Sequence, residues 1–175
     1  AFTAPGIPML FMGQEFLEGE WFRDTVPVHW DQREEFRGIV RLFRDLIRLR
    51  LNRTGATRGL TGPHVRFIRV DDANNVLVFE RTLDGGPNDT TIVAANFDRN
   101  PREKFTVGFP ALGAWKLHLN SDWAGYSTAF GDYPSGDVVA EPGEYDGLPA
   151  HAALNIGPYS VLVYSQTGGD VPQSP

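Results

Sequence analysis

The sequence predicts a mainly β protein: an antiparallel β-sandwich over residues 58–166, preceded in residues 1–57 by the last β-strand and helix of a truncated (β/α)8 barrel. Three observations predict it. Ile7 to Met12 is an unbroken apolar run opened by Pro5-Gly6 and closed by Gly13, the pattern of a strand covered on both faces of a parallel sheet. Residues 34–51 repeat apolar groups at helical spacing. From Val65 onward the period becomes two, with turn residues and no helical stretch between the runs, as in antiparallel sandwiches.

The strand expected over about 7–12 runs directly into Gln14-Glu15-Phe16. An apolar strand, a small residue, then an amide and a carboxylate is what is expected where a barrel strand reaches the face that carries chemistry. Leu17 to Arg33 holds Trp21, Phe22, His29 and Trp30 with Pro27 in its middle and no sustained period, so it reads as a long loop. In the helix expected over about 34–51, Phe36, Ile39, Val40, Phe43, Leu46, Ile47 and Leu51 recur on one side, while Arg37, Arg41, Arg44 and Arg48 cover the other. Asp31 is the expected N-cap, with Glu34 and Glu35 in the first turn and arginines toward the C-terminal end to suit the helix dipole. The arginine row reads as a solvated face.

Gly55, Gly59, Gly62 and Pro63 mark a composition break, and the domain boundary is placed at 57/58. Beyond it, 65–70 and 76–81 form a hairpin about a turn at 71–75. Further strands are expected at 91–97, 104–109, 115–119 and 159–164. Residues 120–150 are turn-rich, with a short strand at Val138-Val139, and the Gly/Pro/Ser tail 167–175 is expected to be disordered.

With 16 basic and 22 acidic residues and a net charge of −6, the chain has no general attraction for nucleic acid or an anionic membrane surface. The longest apolar run is too short to span a bilayer, and no basic region precedes it as a signal peptide requires. The lack of cysteine excludes disulfides and thiolate metal sites and is compatible with the cytoplasm. His29, His64, His118 and His151 are scattered without metal spacing, and Asn120, Asp122 and Asp132 are of the type that builds turns as well as of the type that binds calcium. No metal and no cofactor is expected. The absence of an initiator Met and the start in mid-pattern point to a truncated chain or a processed N-terminus.

The run Leu10-Phe11-Met12-Gly13-Gln14-Glu15-Phe16, following Pro5-Gly6, resembles the eighth barrel strand of the alpha-amylase superfamily, in the form found in 1,4-alpha-glucan branching enzymes. Trp30-Asp31 and the helix after it resemble the segment that follows that strand. Asn74 to Phe79, Val93-Ala94-Ala95-Asn96-Phe97, Leu119-Asn120-Ser121-Asp122 with Tyr126, and Gly157-Pro158-Tyr159-Ser160 are similar, in order, to motifs of the family's C-terminal all-β domain.

The resemblance implies a retaining transglycosylase that cuts an alpha-1,4 bond and rejoins the chain through an alpha-1,6 bond. Its paired carboxylates act as nucleophile and acid/base, and its substrate partner is an alpha-glucan. None of the family's three catalytic carboxylates falls on a residue of this chain, so no catalytic residue is assigned and the chain alone is expected to be inactive. Gln14, Glu15, Trp21 and Trp30 are the residues placed to contact sugar, each also readable as ordering its own loop. Two alternatives remain: a non-catalytic carbohydrate-binding β-module, and the tail of a maltooligosyl-trehalose hydrolase of the same superfamily.

Overall fold

The computed structural model describes residues 1–21, 23–85 and 89–166. Two helices, α1 (Gln32–Glu35) and α2 (Arg37–Arg50), precede eight strands among the described residues: β1 (His64–Asp71), β2 (Val76–Thr82), β3 (Thr91–Asn96), β4 (Arg102–Phe109), β5 (Gly113–Asn120), β6 (Val138–Tyr145), β7 (Leu148–Ile156) and β8 (Val161–Ser165). Every pairing is antiparallel, in the spatial order β1-β2-β3-β8-β5-β6-β7-β4. Between β5 and β6 the ladder is only Gly113↔Ala140, Ala114↔Val139 and Trp115↔Val138. At this narrow junction one layer passes into the other, and a sandwich results.

The alternation of side chains along the strands fixes three layers. Val78, Ile92 and Leu162 meet Val107, Ala150 and Leu154 in the core between the two sheets, closed by Trp115 and Phe109, whose rings meet edge to face at 5.0 Å. The odd partners on the same strands, Phe79, Val93 and Val163, face the opposite way and pack with Leu49, Leu60 and Tyr126, supported by Leu42 and Leu46 of α2. β3 is therefore buried along its whole length, which explains its unbroken apolar sequence.

Two arginines, Arg81 buried and Arg50 half-buried, tie the N-terminal segment to this frame. Arg81 on β2 is 0% exposed; its guanidinium donates to the carbonyls of Thr3 (2.5 Å), His64 (3.2 Å), Leu60 (3.4 Å) and Gly62. Arg50, at the end of α2, donates to Ala4 O at 2.7 Å and to Gly6 O. Burial and the neighbouring Arg50 push the Arg81 pKa down from its ordinary value. Among the described residues no carboxylate pairs with Arg81, so backbone oxygen alone compensates the charge.

Several expectations are corrected. No strand forms over 7–12: the segment is irregular, and Ile7 is 98% exposed and Met9 83%. A parallel strand needs neighbours for its backbone groups, and among the described residues none lies beside it. The single helix expected over 34–51 is split at Phe36, whose φ of −99° and ψ of 31° leave the helical region. Asp31 makes no side-chain cap; the Phe36 carbonyl instead accepts from Ile39 and Val40 at the start of α2. Ile47 and Leu51, expected on the buried side, are exposed, because Leu42, Leu46 and Leu49 face the sheet instead. The short strand at 138–139 extends to Tyr145, and β7 begins at the end of the stretch expected to be turns and runs on through residues 151–156, for which no element is expected from the sequence. The tail 167–175 lies outside the described residues.

Candidate functional site

Gly13 begins a tight reversal. Its φ of 83° favours glycine, and a Cβ there would lie 2.4 Å from the Cβ of Glu18. The 3-10 turn Gln14–Phe16 follows and ends at Leu17 in the left-handed region. Phe16 is buried and stacks at a tilt on Trp30, centroids 5.4 Å apart. This reversal carries the chain into a loop whose two ends are fastened by one carboxylate. Glu18, its side chain 7% exposed, accepts from the backbone N–H of His29 (2.7 Å) and of Glu20 (3.0 Å), and its oxygens lie 3.1 and 3.2 Å from His29 Nδ1.

These bonds lower the Glu18 pKa to about 2, the His29 N–H contributing most, and the carboxylate raises the His29 pKa in return. The linkage runs in opposite directions for the two groups. Glu18 adds stability above its ordinary 4.5 and loses it as pH falls toward 2; His29 adds it below its ordinary 6.5 and loses it as pH rises through its folded value. The loop is thus held best between about pH 4.5 and 6.5. Amide protection over residues 20, 21 and 23–28, taken relative to the intrinsic exchange rate at each pH, should be greatest in this window and should lose its pH dependence in Glu18→Gln. An unchanged profile in that variant removes the fastening role.

Under this loop lies a cleft of about 390 Å³ walled by Phe11, Gln14, Glu18, Trp21 and His29 among others, within the size range of small-ligand sites. Of the four residues expected to contact sugar, Gln14 and Trp21 line it, while Glu15 and Trp30 do not. Trp21 is 86% exposed, a flat apolar face at the mouth. The Gln14 side-chain oxygen accepts from Phe11 N–H at 2.9 Å, so ligand contact would fall to its amide nitrogen. Sequence reasoning assigned no role to Glu18, because a loop carboxylate gives no periodic signal and its partner His29 is eleven residues away.

Elsewhere the motif residues are structural. Asn96 Nδ2 donates to the carbonyls of Asn100 and Gly157, both at 2.9 Å, and its Oδ1 accepts from Asp98 N–H. Asp122 accepts from Gly131 and Tyr133 N–H at 2.9 Å, and Asp132 accepts from Ala124 N–H. These acids order a turn.

The family described as Alpha amylase, C-terminal all-beta domain, matches residues 67–167. The chain belongs to this family. The match begins within β1 and runs through β8. Over nearly its whole length the chain is homologous to the C-terminal region of 1,4-alpha-glucan branching enzymes. It is 32% identical to that of Burkholderia thailandensis over 95% of this chain and 20% of the relative, and 34% identical to that of Pseudomonas syringae pv. tomato over 95% and 23%. The chain thus spans about a fifth of the length of these curated relatives. Two solved structures share the fold: pullulanase from Anoxybacillus sp. LM18-11 (TM-score 0.55, 19% identity, covering 95% of this chain and 22% of that one) and alpha-amylase from H. orenii (0.54, 20%, 95% and 33%). No helix of the described residues is long and apolar enough to cross a membrane.

Proposed function

We propose that this chain serves as the C-terminal part of a cytoplasmic 1,4-alpha-glucan branching enzyme, which cuts alpha-1,4 glucan and rejoins it through alpha-1,6 bonds in glycogen metabolism. The observation that carries the reading is collinear homology to such enzymes across 90–96% of the chain. In this reading residues 1–57 complete a (β/α)8 barrel whose carboxylates lie outside these residues. The exposed apolar run at Ile7 to Met12 packs against that barrel, since exposed apolar surface of this extent marks an interaction face.

The chain's own contribution is positioning. Arg81 and Arg50 hold the segment that leads into Gly13, and Glu18 fastens the loop, so that Gln14 and Trp21 stand at the rim where glucan enters. Trp30 supports this rim from behind through its contact with Phe16, and Glu15 stands beside Gln14 in the same turn. Incubating amylose with the enzyme that carries this chain should introduce alpha-1,6 linkages, read as new anomeric proton signals and a loss of iodine staining. The 175-residue chain alone should introduce none. Release of reducing ends or trehalose without new branch points would transfer the chain to a hydrolase; glucan binding without any turnover by the full enzyme would make it a binding module.

A further inference from the structure

The strand order β2-β3-β8 sets three residues side by side at one end of the sheet: Asn75 just before β2, Phe97 just after β3 and Tyr159 shortly before β8. Main-chain bonds join these strand ends. Phe97 N–H donates to Asn75 O at 2.9 Å, Asn96 N–H to Ser160 O at 2.9 Å, and Tyr159 N–H to Asp98 O at 3.1 Å. Neighbouring strands lie about 4.8 Å apart, so the row spans roughly 10 Å. Phe97 is 63% exposed and Tyr159 72%. Neither ring meets another aromatic ring or a cation among the described residues.

Tyr159 stands at φ 47°, in the left-handed region that favours glycine, and its ring buries little in return. A rigid frame beneath the row holds it there. Asn96 and Ser160 are each 1% exposed; the Asn96 amide spans the carbonyls of Asn100 and Gly157, and Ser160 Oγ donates to Gly157 O at 2.8 Å. A Cβ at Gly157 would lie 2.8 Å from Asp122 Oδ2, so the turn that delivers Tyr159 has little room to shift. An unfavourable backbone conformation, enforced from below and spent on presenting an exposed ring, points to a function of that ring.

Polar groups flank the rings and are open to a ligand. Asn75 Nδ2 donates to Asp98 Oδ2 at 3.2 Å; a carboxylate only accepts, so the amide is oriented and the exposed Asn75 keeps Oδ1 as an acceptor without a partner among the described residues. The Tyr159 hydroxyl has no partner among them either. Asp98 offers no bare charge, since it pairs with Arg102 at 3.0 Å and accepts from Asn100. Two rings supply at most about 500 Å², below the roughly 800 Å² per side of a stable protein interface. Flat apolar faces beside a hydroxyl and an amide oxygen instead match the C–H face and the hydroxyl edge of a sugar. We propose that Asn75, Phe97 and Tyr159 form a surface site for a neutral oligosaccharide, separate from the rim at Trp21, whose cleft none of the three lines. The choice of an alpha-glucan as that oligosaccharide rests on the function proposed above.

The test is titration of the isotopically labelled 175-residue chain with maltoheptaose, following the amide signals of Asn75, Phe97 and Tyr159 and the indole N–H of Trp21. The three amides should shift together and saturably. Phe97→Ala should weaken this binding about tenfold and leave the melting temperature unchanged. Tyr159→Gly should weaken it as much while raising the melting temperature, because it removes the ring and the backbone strain together. Tyr159→Phe, which keeps the ring, should cost about threefold. The proposal falls if the three amides do not move, if Phe97→Ala and Tyr159→Gly bind like the parent, or if both variants lower the melting temperature, which would make the rings structural. It falls also if the shifts follow protein concentration instead of sugar, the sign of contact between copies of the chain. A shift at Trp21 alone keeps the rim and removes this site. Shifts of the row with cellotetraose but not with maltoheptaose overturn the alpha-glucan assignment and keep the sugar site, whereas failure of the full enzyme to branch amylose bears on the proposed function alone.

Discussion

Replacing Arg81 by Met should destabilise the chain by about 3–5 kcal/mol, because each buried acceptor that loses its donor costs roughly 1–3 kcal/mol. Methionine fills a similar volume but donates nothing. The carbonyls of Thr3, Leu60, Gly62 and His64 would all lose the guanidinium. The loss is concentrated because one side chain joins three segments: the N-terminus, the turn before β1 and β1 itself. Arg81→Lys should recover only part of it, since a single ammonium cannot copy the planar fork. Urea denaturation followed by far-ultraviolet circular dichroism measures both. A loss below about 1 kcal/mol for Arg81→Met would mean that water replaces the guanidinium and that the clamp is ornamental.

Gly38→Ala should behave against its helical context. In an exposed helix this change gains up to about 1 kcal/mol. Here a Cβ would stand 2.0 Å from the carbonyl oxygen of Tyr126 and 2.7 Å from its carbon. Both are backbone atoms, so no rotamer change relieves the contact, and either α2 or the 123–128 loop must move. A net loss of about 2–3 kcal/mol is expected, in the range of overpacking. The contact between Tyr126 OH and Asp45 should weaken as well. The expected signature is a lower urea midpoint together with a changed tryptophan emission, as Trp123 leaves Arg41 and Tyr126. An unchanged midpoint would show that the loop yields freely.

The strands with strong β-branched character were legible in the sequence because they are central: β2, β3 and β8 bury both faces, and each residue reports the fact. β6 and β7 were harder to read for a local reason. Pro142-Gly143 looks like a turn, yet it sits in β6 where the register with β7 shifts between Pro142 and Tyr145, one of the places a strand tolerates proline. In β7 the inward set Leu148, Ala150, Ala152, Leu154 and Ile156 does alternate, but the alanines are small and His151 and Asn155 between them are the only clear polar marks. The run at Ile7 to Met12 misled in the other direction: its composition describes a strand, but composition cannot supply the neighbouring strands.

The site was legible to a similar degree. Trp21 and Gln14 stood out by residue type and position, whereas Glu18 and His29 act through a bond across eleven residues, which no local pattern announces. The row of Asn75, Phe97 and Tyr159 was invisible for the same reason: its members come from three strand ends distant in the chain.

The position of β8 has a consequence for the order of folding. It is the last strand in sequence among the described residues, yet it lies between β3 and β5, where Ala94↔Leu162 on one side and Leu117↔Tyr164 on the other complete two ladders at once. Until it arrives, β1-β2-β3 and the β5-to-β4 strands are two sheets with open edges, each exposing a row of unpaired backbone groups. During synthesis the chain therefore carries two half-built sheets until β8 emerges to close them. Closure by a distant segment is slow in topologies dominated by long-range pairing, which makes the interval before Val161 to Ser165 emerge the time when this domain is most open to aggregation and to chaperones.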